Sequence, residues 1–183
     1  LHHKKSVSEI STTLIGEHHV GPITACIDIA VNLGMNIVDI QKAITYTKPF
    51  EHRMSPYMLN GATIIDDTYN GNIKGINAGL ELLKKIEASG KKIYVTPGLV
   101  EQGDQSEKIH VEIGRLITAA KPDEVVLMNN STTEHIKRGL EESKYAGHVR
   151  IVFDPLKFYT NLKHFVVAGD VVLMQNDWTD NYK

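Results

Sequence analysis

From residue 62 onward the chain alternates two periods of hydrophobic and polar positions. The segments "ATIID" (62–66), "KKIYVT" (91–96), "DEVVLM" (123–128), "VRIVF" (149–153) and "DVVLM" (170–174) are short, β-branched and almost continuously apolar. That is the pattern of strands buried on both faces. Between them lie amphipathic stretches at helical spacing. "IKGINAGLELLKKIEAS" sets Ile73, Ile76, Leu80, Leu83 and Ile86 on one face and stops before Gly90. "SEKIHVEIGRLITAA" repeats the pattern with Ile109, Ile113, Leu116 and Ile117. "STTEHIKRGLEES" opens on Ser131, Thr132 and Thr133 as candidate N-caps, and "PLKFYTNLKHFV" supplies a fourth helix. Short strands alternating with helices of this length predict an α/β fold of right-handed βαβ units. The sheet should be mostly parallel, with helices on both faces.

Residues 1 to about 48 follow a different pattern. "GPITACIDIAVNLG" reads as an apolar helix, with Pro22 suited to its first turn and Gly34 to its end. "NIVDIQKAITY" reads as a second short helix, with Asn36 or Asp39 near its start. Two helices without a strand cannot enclose a core of their own, so residues 1–48 are expected to be a helical segment of a preceding domain. "TKPFEHRMSPYMLNG", with two prolines, then reads as linker and lead-in strand. The α/β domain is therefore placed at residues 49–183.

Composition narrows the picture. A chain of 183 residues with 42% hydrophobic and 23% charged residues can build a real globular core. Its formal net charge of −2 argues against a nucleic-acid partner, which would call for clustered Lys and Arg. One cysteine, Cys26, rules out an internal disulfide framework and fits a cytoplasmic setting. Cys26 itself reads as a small core residue rather than a reactive thiol. No apolar run reaches the roughly 18 residues needed to insert in a membrane, and there is no secretory signal pattern. The opening "LHHKKSVSEISTT" lacks an initiating Met and reads as if cut from a longer chain.

In open α/β sheets ligands bind beyond the carboxyl ends of the strands. That rule singles out Asp66, Asp67, Thr68, Tyr69, Asn70 and Asn72 after the first strand. It adds Thr96, Gly98, Glu101, Gly103 and Ser106 after the second, and Asn129, Asn130, Ser131 and Thr132 after the third. Asn176, Asp177 and Asp180 follow the last. Each of these is a turn or cap residue or else a ligand, and position alone does not choose. Asp66 and Asp67 alternate across a strand, so they should not form a paired acid/base dyad. Neither G-x-x-x-x-G-K-[ST] nor G-x-G-x-x-G occurs, and the nine histidines form neither H-E-x-x-H nor a Cys/His set. No metal site is expected.

Three stretches in order carry a resemblance: "GEHHVGPITACIDIAVNLGMNIVDIQKAI", then "HRM…NGATIIDDTYNGN", then "VTPGLVEQG". Together they resemble the C-terminal part of the Mur ligase family. The nearest branch is the one that adds D-alanyl-D-alanine to a UDP-muramoyl-tripeptide. The resemblance implies a Rossmann-like domain preceded by the helical tail of a central, ATP-binding domain. It implies an ATP-dependent ligase in which a carboxylate is phosphorylated and the acyl phosphate is attacked by an amine. ATP and Mg2+ would be held mainly by that central domain. The partners would be a UDP-muramoyl-peptide-like substrate and an amino acid or dipeptide.

By the same resemblance Arg53 would approach the ATP phosphates and Asp67 the ribose. His18 and His19, at the helix entry, would lie near the adenine. Asn70, Asn72 and Glu101 would organise or meet the amine substrate. No catalytic residue is assigned in this chain, which would be inactive alone for want of a P-loop. The chain departs from the family pattern at several places. His19 and Pro22 stand where the family has asparagines, Ile73 where it has proline, and "QNDWTDNYK" where it has a K-G-S-R-like element. Those departures keep a second reading open, a non-catalytic nucleotide- or precursor-binding regulatory module on the same fold.

Overall fold

A computed structural model describes residues 2–3 and 6–176 and divides the chain into two compact units, the first up to Phe50 and the second from Glu51. In the first unit two-residue strands β1 (His2–His3) and β2 (Ser6–Val7) pair antiparallel. Helices α1 (Val20–Asn32) and α2 (Ile37–Thr45) follow. Pro22 lies in the first turn of α1, and Gly34 takes a positive φ of 90° just beyond its end. Asn36 caps α2 by accepting a hydrogen bond from Asp39 N at 2.9 Å. Each helix has one buried residue, Ile27 and Ile40. Cys26 corrects the expectation of a core cysteine: it is exposed, because α1 buries only the stripe that carries Ile27.

The second unit contains a six-stranded sheet built from β3 (Ser55–Leu59), β4 (Ala62–Asp67), β5 (Lys92–Thr96), β6 (Glu124–Met128), β7 (His148–Val152) and β8 (Val171–Gln175). Their order across the sheet is β3-β4-β8-β5-β6-β7. Every pairing is parallel except β3 with β4. The α/β, mostly parallel architecture is as the alternating periods predict. The helices are α3 (Ile73–Lys85), α4 (Ser106–Ala120), α5 (Thr133–Glu142), α6 (Pro155–Thr160) and α7 (Leu162–Phe165). One face of the sheet (Ala62, Ile64, Ile93, Val95, Val126, Met128, Val172, Met174) packs with Leu162 and Val166 from the α7 region. The alternate residues Ile65, Tyr94, Leu127 and Leu173 are also buried, as a sheet covered on both faces requires.

Three local details differ from the sequence pattern, each for a physical reason. The fourth helix is two short ones. Asn161 leaves helical geometry (φ −102°, ψ 11°) and its side-chain amide donates to Lys157 O at 2.8 Å, which competes with the helical ladder. Helix α3 ends at Lys85, and Ile86 turns extended (φ −66°, ψ 134°). On α4 the buried residues are His110, Val111, Ile113, Gly114, Ile117 and Ala120, while Ile109 and Leu116 are only half-buried. The rotation follows from a close α4–α5 crossing. A Cβ on Gly114 would overlap Ile136 O, and one on Gly139 would overlap Val111 O.

Topology also explains how a residue before the sheet reaches the carboxyl rim. Because β3 runs antiparallel to β4, Ser55 pairs with Asp66. The start of β3, and Arg53 just before it, therefore lies beside the end of β4. The edge position of β3 tolerates Pro56, which cannot donate to a ladder.

Candidate functional site

The two carboxylates at the end of β4 point to different partners, as their alternation along the strand requires. Asp66 Oδ1 accepts from Thr68 N at 3.1 Å and from Thr68 Oγ at 2.7 Å, closing a tight turn. Its Oδ2 lies 2.8 Å from His52 Nδ1. Asp67 Oδ1 accepts from Met54 N at 3.2 Å, and its Oδ2 accepts from Gln175 Nε2 at 2.9 Å. Asp66 is thus the turn residue, and Asp67 is braced by the residue before β3 and by the last residue of β8.

Around them the chain is folded tightly. His52 and Met54 take positive φ values of 60° and 45°, uncommon for residues with side chains. Tyr69 N donates to His52 O at 3.2 Å, tying the lead-in of β3 to the β4 loop. Arg53 donates from Nη1 to Asn70 O at 3.0 Å, and its guanidinium carbon lies 4.4 Å from the Tyr69 ring centroid. A cation over an aromatic face is attracted by the ring quadrupole and held in one orientation. Asn70 serves through its carbonyl, and its side chain is exposed. Asn72 is the N-cap of α3, its Oδ1 accepting from Gly75 N at 3.0 Å. That leaves the rim with a helix N-terminus, where backbone N–H groups and the dipole favour negative charge.

Strand β8 closes the other side of this turn. Asn176 N donates to Asp67 O at 3.1 Å, and Asn176 takes φ 64°, a left-handed conformation that asparagine tolerates. A Cβ at Gly71 would overlap Asn176 Oδ1, so any other residue there would displace the Asn176 amide. Asp177 and Asp180, named from the sequence for this same loop, lie outside the described residues.

The loop after β5 is fixed by a histidine that the apolar pattern of α4 conceals. His110 is fully buried. Its Nε2 accepts from Leu99 N at 2.9 Å and its Nδ1 meets Ser106 O at 2.6 Å, which specifies the neutral ring protonated on Nδ1. Burial pushes the His110 pKa down, against the raising effect of the Ser106 carbonyl. Gly98, at φ 92°, allows the approach: a Cβ there would lie 2.7 Å from Thr132 Oγ and 2.8 Å from His110 Nε2. Asn130 Nδ2 donates to Pro97 O at 2.7 Å, joining this loop to the one after β6. Glu101 at the loop's tip is exposed, at φ 60°, and makes no described polar contact with the Arg53–Asp67 group.

Of the residues named from the sequence, Arg53, Asp67, Asn70 and Asn72 come together at the end of β4, and Glu101, in the loop after β5 on the same rim, makes no described polar contact with them. His18 and His19 belong to the first unit. They form a 3-10 turn (Glu17–His19) with ring centroids 4.2 Å apart. Gly16, at φ 98°, leaves room for the His18 ring, which is why the G-x-H entry needs its glycine. Among the described residues no group of three or more His, Cys, Asp or Glu side chains could hold a metal ion, and no helix is long and apolar enough to cross a membrane. His110 and Gln175 were not legible as site residues. The only available signals were a polar residue inside an apolar period and another ending an apolar strand.

Comparison with known proteins bears on the same region. The family model described as "Mur ligase, glutamate ligase domain" matches residues 52–175. The UDP-N-acetylmuramoyl-tripeptide–D-alanyl-D-alanine ligase of Mycobacterium leprae (strain TN) is 28% identical over 188 residues, covering 94% of this chain and 36% of that protein. A crystal structure of MurF from Acinetobacter baumannii superposes with a TM-score of 0.74 at 23% identity, covering 92% of this chain and 36% of that one. MurF ligase from Thermotoga maritima in complex with ADP superposes with a TM-score of 0.70 at 25% identity, covering 89% and 35%. The chain therefore spans about a third of the length of the relatives it matches.

Proposed function

The chain belongs to the Mur ligase family through its glutamate ligase domain, and from that premise we propose that it is the C-terminal part of an ATP-dependent, amide-forming ligase of peptidoglycan precursor synthesis. In this reading residues 1–48 are the helical tail of the central ATP-binding domain, and residues 49–183 close over its active site. The observation that carries the reading is the braced pair at the end of β4. A guanidinium is fixed over Tyr69, and the Asp67 carboxylate is fixed between Met54 N and Gln175 Nε2.

The residues present fit a nucleotide. Among the described residues the Arg53 guanidinium spends one N–H on Asn70 O, and its fork geometry suits phosphate oxygens. A carboxylate offers about four acceptor sites, so Asp67 can take hydrogen bonds from ribose hydroxyls beside those it already holds. ATP supplies the phosphoryl group that activates the substrate carboxylate. The chain's own part is to orient the nucleotide with Arg53 and Asp67, to carry the amine substrate near Asn70, Asn72 and Glu101, and to exclude water from the acyl phosphate on closure. His18 and His19 would line the adenine side. The P-loop and the Mg2+ site would lie in the central domain, and the location would be cytoplasmic.

The substrates follow the relatives as proposals: a UDP-muramoyl-peptide acid and a D-alanyl-D-alanine-like amine. A coupled ATPase assay of the full-length protein, with that acid and a panel of amino acids and dipeptides, tests the reading. Amine-dependent release of phosphate is expected. Tight precursor binding without hydrolysis for any amine would favour a regulatory module instead, as the departures at His19 and Pro22 suggest.

A further inference from the structure

Gln175 is a buried polar residue, 1% exposed, at the last position of a strand whose other four residues are apolar. Its side-chain nitrogen faces two acceptors, Asp67 Oδ2 at 2.9 Å and Gly75 O at 3.1 Å. Neither can donate, so the amide orientation is fixed: the flipped amide would set oxygen against oxygen. The other end, Oε1, is buried without a hydrogen-bond partner among the described residues. A buried acceptor left unpaired costs stability, so what this side chain contributes lies in the two hydrogen bonds of its nitrogen. Room for it is made by Gly79 in α3, where a Cβ would overlap the Gln175 amide. One amide thus links β8, the carboxylate at the end of β4 and the first turn of α3.

We propose that Gln175 is a positioning residue for nucleotide binding, which sets the rotamer of the Asp67 carboxylate so that its remaining acceptor capacity meets the ribose hydroxyls. The inference rests on the assignment of Asp67 to the nucleotide made above. The Met54 N–H fixes one carboxylate oxygen and the Gln175 N–H fixes the other. Removing the second donor takes away one of the hydrogen bonds that orient the carboxylate without removing its charge.

The test is calorimetric titration of the full-length protein with ATP and, separately, with inorganic tripolyphosphate, which carries phosphates but no ribose. Three variants are compared: Gln175→Met, which keeps volume and removes the donor; Gly79→Ala, which pushes the amide aside without touching Asp67; and Asp67→Ala. Losing a hydrogen bond to a charged group corresponds to about a tenfold or larger change in affinity. Gln175→Met and Gly79→Ala are each expected to weaken ATP about tenfold and to leave tripolyphosphate unchanged. Alanine is the better helix former, so the melting temperature of Gly79→Ala reports whether folding has suffered. Should Gln175→Met fail to fold, Gly79→Ala decides alone. Wild-type ATP affinity in these two variants, with loss in Asp67→Ala, overturns the role of Gln175 and leaves the nucleotide assignment standing. Equal weakening of ATP and tripolyphosphate also overturns it, since that is the signature of general damage to the rim. Wild-type ATP affinity in Asp67→Ala as well overturns the assignment on which the inference rests.

Discussion

The two rims of the sheet are both rich in buried polar groups, yet they are built to opposite ends. At the amino rim Glu124, 3% exposed, is met by Arg150 Nε at 2.8 Å, Lys91 Nζ at 3.3 Å and His148 Nδ1 at 3.4 Å. Asp170 accepts from Lys91 N at 2.8 Å and Val167 N at 3.0 Å, and Asp123 accepts from Lys92 N at 2.8 Å. These carboxylates are answered by cations or backbone donors that hold strand starts in place. At the carboxyl rim the brackets are just as firm, but Gln175 Oε1 and Asn176 Nδ2 are buried without described partners. Polar density alone does not mark a site. What sets the carboxyl rim apart is that some of its polarity is left unsatisfied beside open loops.

Substitutions can break this contrast or sharpen it. The largest effect is expected from Arg53→Ala or Asp67→Ala in the full-length protein, each lowering ligase turnover by about a hundredfold or more while the melting temperature stays close to wild type. Wild-type turnover in both would erase the distinction between the rims. Next, Glu124→Ala should destabilise the domain by about 1–3 kcal/mol in denaturant unfolding, since the buried carboxylate that meets Arg150, Lys91 and His148 is lost, while ATP affinity is unchanged. Burial works to raise the Glu124 pKa, but Arg150 and Lys91 outweigh it and hold the carboxyl below its usual range. Its contribution is therefore present above the unfolded carboxyl pKa and is lost as pH falls through the lower folded value.

A smaller effect should come from His110. Its folded pKa is depressed, so the unfolded chain binds the extra proton first as pH falls. The stability held by the neutral ring is complete above the unfolded value of about 6.5 and declines as pH drops below it. Thermal melts between neutral and mildly acidic pH should show that slope, and His110→Gln should flatten it. The smallest effect belongs to Cys26→Ser. An exposed site should shift stability by no more than about 0.5 kcal/mol, and a larger loss would mean that α1 is covered in the full-length protein.

Much of this architecture is legible in the residues. Five apolar runs end within a residue or so of β4, β5, β6, β7 and β8. Asn36 and Asn72 act as caps because a short side-chain oxygen reaches the N–H three residues on. The separation of Asp66 from Asp67 follows from strand alternation alone. What escaped the pattern depends on neighbours distant in sequence. The rotation of α4 depends on Gly139 of another helix, and the exposure of Cys26 on which side of α1 meets a partner. The break at Asn161 depends on a side chain that competes with the backbone.

The sequence by itself determined that "IIDDTYNGN" would be a strand running into a capped helix, with its two carboxylates on opposite sides. Those outcomes rest on periodicity and reach within a few residues. Only the tertiary structure decided what holds each carboxylate in place. The donors to Asp67 come from Met54, 13 residues before it, and from Gln175, 108 residues after it. Chain pattern records which faces must be buried. It does not record which strands become neighbours, and in this sheet the last strand is inserted between the second and third. That insertion brings Gln175 and Asn176 to Asp67 and completes the rim.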